Sequence, residues 1–159
     1  MANGCDNRDP LTLDNQLCFS VYSTAHAFTR LYRTLLDPLG LTYTQYIVLL
    51  ALLEEDGVSI KVLGGRLSLD SGTLTPVLRR LDTAGHVNRT RDRDDERIVR
   101  VHLTAQGRAL RPELERVNNS IGASTGLDAD ELTRLQQRLR TLQDGLEAGL
   151  KRLHGQPDD

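Results

Sequence analysis

Apolar residues recur along most of this chain at the three- and four-residue spacing of helices, and over one interval they alternate with polar ones. The spacing predicts a first helix from about Asp14 to Asp37, with Asp14 as its N-cap and Pro38 and Gly40 ending it. Leu17, Val21, Phe28, Leu31 and Leu35 should form one buried face of it. Cys18, Tyr22, Ala25, Thr29, Tyr32 and Leu36 form a second stripe beside that face. A second helix should start at Thr42, where Thr42 and Gln45 fit a capping box and Leu41 and Tyr46 a hydrophobic staple. Its body, Tyr46 to Leu53, is apolar on nearly every side, which suits a central position. Ser59 can cap a third helix over Ile60 to Leu67, with Val62, Leu63 and Leu67 inward. A polar turn leads to a fourth helix, Gly72 to Ala84, with Leu74, Val77, Leu78 and Leu81 inward and Gly85 as its C-cap. The period then drops to two: His86–Arg91 and Arg97–Leu103 read as strands around a charged turn, Asp92 to Glu96. Thr104 caps a fifth helix, and Asp128 to Glu131 starts a sixth. The sixth carries Leu132, Leu135, Leu139, Leu142, Leu146, Leu150 and Leu153 at helical spacing, a stripe that fits another chain or its own domain equally well.

The expected fold is therefore mainly α, with about six helices and a two-stranded wing. Residues 41–103 form a winged helix-turn-helix, residues 13–40 and 104–153 a helical region around it, and residues 1–12 a flexible polar tail. With aromatics at 4% and no Trp, the core must rest on Leu and Val. The longest apolar run, Tyr46 to Leu53, is far short of the ~20 residues of a membrane helix, and the N-terminus has no signal-peptide core. These features predict a cytoplasmic protein with no membrane partner.

A net charge of −2 argues against nucleic acid, but its distribution argues for it. Residues 60–111 hold eleven Lys/Arg against six Asp/Glu, within an otherwise acidic chain. The second helix of a helix-turn-helix can enter a major groove of double-stranded DNA. Its N-terminus at Ser71 and Gly72 would offer N–H groups to a phosphate. Thr73 and Thr75 could reach base edges, and Arg79 or Arg80 phosphate or guanine. The hairpin tip, with Arg91, Arg93 and Arg97, could follow the backbone and place one arginine in the minor groove. A solvated charged hairpin would explain residues 89–97 alone.

The segments LDNQLCF (residues 13–19), LGLTYTQY (39–46), LDSGTLTPVLRRL (69–81) and DDERIVRVHLT (94–104), with Tyr22 and Tyr32, resemble the MarR family. More narrowly, they resemble its organic-hydroperoxide-sensing repressors, closely over residues 11–105 and in outline beyond. The resemblance implies a homodimer formed by the first and last helices, bound to an inverted-repeat operator and released when peroxide oxidises a cysteine. Carried onto this chain, the redox-sensing cysteine is Cys18, and Tyr22 and Tyr32 are the phenols that stabilise its thiolate. The reading helix is about Ser71–Ala84, and Asp95 and Arg97 form the wing pair.

Spacing adds a constraint of its own. Cys18 and Tyr32 lie fourteen residues apart, about 21 Å along a straight helix at ~1.5 Å per residue. They can meet only across an antiparallel pairing of two first helices. Residues 112–159 lack the resolving cysteine of two-cysteine members, so a low-molecular-weight thiol, or Cys5 in the tail, would capture the oxidised sulfur. Three other readings stand beside this one. Cys18 could be a small buried hydrophobe. The chain could be a repressor released by a phenolic or other small ligand. It could also be a thiol peroxidase, for which no strand pattern or second cysteine is in place. The four histidines show no metal-ligand spacing, and no cofactor is implied.

Overall fold

The computed structural model describes Asp9 and residues 11–155; most of the predicted tail, including Cys5, lies outside the described residues. The chain divides into two compact units, Met1–Val117 and Asn118–Asp159, a boundary that falls within one helix.

In the first unit, α1 (Leu17–Leu36) leads through a 3-10 turn (Asp37–Leu39) to α2 (Tyr43–Glu54). After α2 come β1 (Val58–Ser59), α3 (Ile60–Leu67), α4 (Ser71–Thr83), β2 (Val87–Arg91) and β3 (Val99–Leu103). Next are the short α5 (Ala105–Ala109) and α6 (Arg111–Ser124), and α7 (Ala129–His154) closes the chain. The two-stranded wing is extended by β1 into an antiparallel sheet of order β1-β3-β2, with Val58 opposite Val101 and Val87 opposite Leu103. No single helix among the described residues is long and apolar enough to cross a membrane.

Local chemistry sets the element ends. Thr42 and Gln45 form the predicted capping box, Ser59 caps α3, Thr104 caps α5, and Asp128 and Glu131 form a second capping box on α7. Gly85 takes φ +78° just beyond α4. Its N–H reaches Asp82 O, and that of His86 reaches Leu81 O, both at 2.9 Å, which satisfies the last carbonyls of the helix. Asp14 is not the cap of α1. It lies in a separate 3-10 turn, Leu13–Asn15, and Gln16 stands at the N-cap without a side-chain cap bond. The predicted fifth helix is two, because Pro112 has no N–H to continue the ladder and the chain turns at Leu110.

The core forms where α2, α3, α4 and the sheet meet. Tyr46, Leu49, Leu52, Leu63, Leu74, Leu78, Leu81, Val87 and Val101 are each 0–1% exposed. Burying one such leucine contributes roughly 1.5–3 kcal/mol. Val62, predicted inward, is 49% exposed, because Leu63 and Gly64 take the inner face of α3.

The predicted inner face of α1 is not buried within the chain. Leu17 is 61% exposed, Val21 43% and Phe28 39%, and only Leu36 of α1 is buried. Five leucines of the α7 stripe are also exposed, from 44% at Leu135 to 73% at Leu153, while Leu132 and Leu142 are half-buried. Each helix therefore presents an apolar face that the other described residues of its own unit leave exposed.

Candidate nucleic-acid interface and thiol site

Asp70 precedes α4 and accepts the backbone N–H of Thr73 at 2.9 Å and its hydroxyl at 2.8 Å. These bonds, the backbone one foremost, hold the Asp70 carboxyl below its ordinary value of 3.8. Asp70 is thus the N-cap of α4, and its carboxylate holds the N–H and hydroxyl of Thr73 at the helix start. Ser71, Gly72, Thr73, Arg79 and Arg80 are exposed, whereas Thr75 is half-buried. The two arginines stand free of the core because Leu74, Leu78 and Leu81 turn the other side of α4 inward.

The wing is built around two aspartates. Asp92 Oδ1 accepts the N–H groups of Asp94 at 2.9 Å and Asp95 at 3.3 Å, which folds the turn. Its Oδ2 accepts Arg100 Nε. Asp95 in turn accepts three bonds from Arg97: the backbone N–H at 3.0 Å, Nε at 3.0 Å and an Nη at 3.3 Å. The Arg97 side chain is 91% exposed, so its fixed support is this fork. Arg91 and Arg93 are also exposed on the wing. At its base, Arg89 pairs with Asp82 of α4 at 2.9 Å, joining the hairpin to α4.

Arg100 is the first-ranking cause of the lowered Asp92 carboxyl, and Arg97 of the lowered Asp95 carboxyl. Groups depressed on folding contribute stability above their unfolded values and lose it as pH falls through the folded ones. The thermal midpoint should therefore hold steady from about pH 7 to 5 and drop below about pH 4, with Asp92→Asn removing part of the drop. Melts recorded across that range check this; a midpoint unchanged at about pH 3 would show that these carboxylates do not support the fold.

On α1, Cys18 is exposed one residue into the helix, with Sγ 4.0 Å from Gln16 Oε1. Tyr22 lies one turn on, its ring 4.2 Å from that of His26, and is 60% exposed. The structure does not bring Cys18 and Tyr32 together, since α1 is one continuous helix that keeps them about 21 Å apart. Tyr32 instead meets α2, with its ring 4.7 Å from Tyr43 and 5.4 Å from Tyr46. Burial, then the neighbouring Tyr46 and Tyr43, push its hydroxyl up to about 12. Tyr32 thus stays a protonated donor throughout the neutral range. Tyr46 is 1% exposed, with its ring against those of Tyr32 and Tyr43.

Beside this cluster, Ala25, Phe28, Thr29, Tyr32 and Tyr43 line a pocket of about 340 Å³. Tyr43 and Tyr46 join Tyr32 as site candidates, although in the sequence Tyr46 reads as a staple and core residue and Tyr43 only as part of the segment LGLTYTQY. Their spacing of three residues, which puts both on one side of α2, was the available signal.

The SarA/Rot family of transcriptional regulators matches residues 30–114. The regulator TtmR of Methylorubrum extorquens is 52% identical over 88% of this chain and 72% of its own length. The organic hydroperoxide resistance transcriptional regulator of Bacillus subtilis is 39% identical over 84% of this chain and 91% of its own. The structure of reduced AbfR bound to DNA aligns with a TM-score of 0.71 and 36% identity, over 84% of this chain and 94% of that one. These matches span the helix-turn-helix, the wing and the α1–α2 tyrosines, and the family's members are regulators rather than enzymes. The chain belongs to the MarR/SarA family of DNA-binding transcriptional regulators.

Proposed function

We propose that this regulator is a repressor that holds an inverted-repeat operator as a homodimer and releases it when an organic hydroperoxide oxidises Cys18. The observation that carries this reading is the position of Cys18. It is exposed on a helix whose apolar face the chain leaves bare, on the same stripe as a protonated phenol it cannot reach within one protomer. Pairing two α1 helices antiparallel would cover that face and bring Cys18 of each protomer to the Tyr32–Tyr43 cluster of the other. Residues 13–40 and 104–153 would then form the dimerisation region, and residues 41–103 the DNA-binding domain. The B. subtilis relative is a regulator of organic hydroperoxide resistance, and AbfR was solved on DNA in its reduced form; both fit this reading.

The chemistry balances simply. The thiolate attacks the outer oxygen of ROOH, the O–O bond breaks, and the alkoxide takes a proton to leave as ROH. Sulfur loses two electrons and becomes a sulfenic acid. A small cellular thiol then condenses with it, forming a mixed disulfide and water. Tyr22 and Tyr32 would donate to the thiolate but no longer fit the larger oxidised group. The α1 pair would shift, and the two reading helices would lose their separation of one DNA turn, about 34 Å. Ser71, Gly72, Thr73, Thr75, Arg79 and Arg80 would face the major groove, while Arg91, Arg93 and the Asp95-held Arg97 would follow the backbone and minor groove.

A gel shift with and without cumene hydroperoxide, followed by mass analysis of Cys18, tests the reading. Release without any mass change on Cys18 would favour a ligand-released repressor instead. Tyr32→Phe should slow Cys18 oxidation about tenfold, as for one lost hydrogen bond of ~1.4 kcal/mol. Stopped-flow oxidation of the variant at wild-type rate would remove that phenol from the sensor.

A further inference from the structure

Arg97, at the wing turn, is tied through Asp95 and Asp92 to Arg100 of β3. Arg100 is the second residue of β3, opposite Thr90 of β2 and Ser59 of β1. Its guanidinium has two separate anchors. Nε donates to Asp92 Oδ2 at the start of the wing turn. Nη1 donates to the carbonyl of Gly57, 43 positions earlier in the chain, at 3.0 Å. Gly57 is itself fixed, since its N–H bonds Val101 O at 3.0 Å. It takes φ +72°, and a Cβ there would come within 2.8 Å of the His102 ring.

A chain of contacts therefore runs from the end of α2 to the wing tip. Gly57 O holds Arg100, which holds Asp92. Asp92 holds the N–H groups of Asp94 and Asp95, and Asp95 holds Arg97. The Asp92 side chain is only 11% exposed and Arg100 45%, whereas Arg97 is 91% exposed. The Asp92 joint of the strut is thus sheltered, while its terminus projects into solvent.

We infer that Arg100 is a positioning residue for DNA binding: with Asp92 and Gly57 O it sets where the wing turn presents Arg97, without contacting DNA itself. A preorganised arginine loses less side-chain freedom on binding than one free to swing, so the strut should be read in affinity rather than in fold. This rests on the reading that Arg97 engages DNA.

A mutant cycle on a labelled duplex, selected from random sequence by the wild-type protein, tests it. Arg97→Ala should weaken binding about tenfold or more and lower the salt slope by about one. Arg100→Ala should weaken binding about fivefold, and the double variant should match Arg97→Ala within about twofold, because the strut has nothing left to position. Adding Arg100→Ala to Arg97→Ala should leave the salt slope unchanged. Asp92→Asn cuts the same strut from its other end, should reproduce Arg100→Ala, and carries the cycle if Arg100→Ala does not fold.

Losses that simply multiply in the double variant, or a further fall of about one in its salt slope, would show Arg100 acting on DNA directly and overturn the inference. Arg100→Ala binding at wild-type strength would overturn it as well. An Arg97→Ala protein that binds normally would sink the wing reading itself, a separate failure from either of those.

Discussion

Cys18→Ser should bind the operator as wild type does and fail to release it when an organic hydroperoxide is added. Serine keeps the size of the side chain and removes the only atom there that peroxide can oxidise. The cost to the fold should be small, because Cys18 is exposed and its sulfur makes a single weak contact with Gln16. Operator affinity should stay within about twofold of wild type, since neither α4 nor the wing is touched. Titrating cumene hydroperoxide into the preformed complex reads both quantities in one experiment. Release that persists in the serine protein would move sensing elsewhere, most simply to a ligand bound between the elements around Tyr32.

Leu139→Glu with Leu146→Glu should give a monomer that folds and binds operator at least about a hundredfold more weakly. The two leucines are 47% and 66% exposed on α7, so the change leaves the chain's own buried residues alone. In a dimer interface it would bury two carboxylates on each protomer without partners, a cost of several kcal/mol per charge. Losing the second protomer also loses the gain of about 10²–10⁴ that comes from engaging two half-sites at once. Sedimentation velocity reports the oligomeric state and fluorescence anisotropy the affinity. A doubly substituted protein that still sediments as a dimer would place the dimer contact off the α7 stripe.

Much of the architecture was legible because its signals are local. The capping boxes at Thr42/Gln45 and Asp128/Glu131, the inward leucines of α4 and the switch to alternation at His86 each lie within a few residues of what they specify. The misses were short or non-local. A two-residue strand such as β1 has no period to detect. Asp14 looked like a cap because aspartate there is suitable, but the chain spends it on a 3-10 turn before Gln16. The break at Leu110 turns on Pro112, which lacks the N–H to continue one helix and sits in the first turn of the next. The apolar faces of α1 and α7 were readable as faces; that the chain leaves them bare was not, since periodicity says which side is greasy and not what lies against it.

The same division holds for the candidate sites. Cys18, Tyr22, Arg79, Arg80 and Arg97 could be chosen because motif and charge mark them. Tyr43 was overlooked because its partner, Tyr32, is on a different helix. Arg100 was counted as one more positive charge because its anchors are Asp92, which reads as an ordinary turn acid, and a backbone carbonyl 43 residues away.

The bare faces of α1 and α7 also bear on dosage. If only the paired form grips the operator, then at low abundance, where most copies are single, the amount of gripping species rises as the square of the copy number. Halving the supply would then cut the gripping species about fourfold, so synthesis rate alone would set how much of it is on hand.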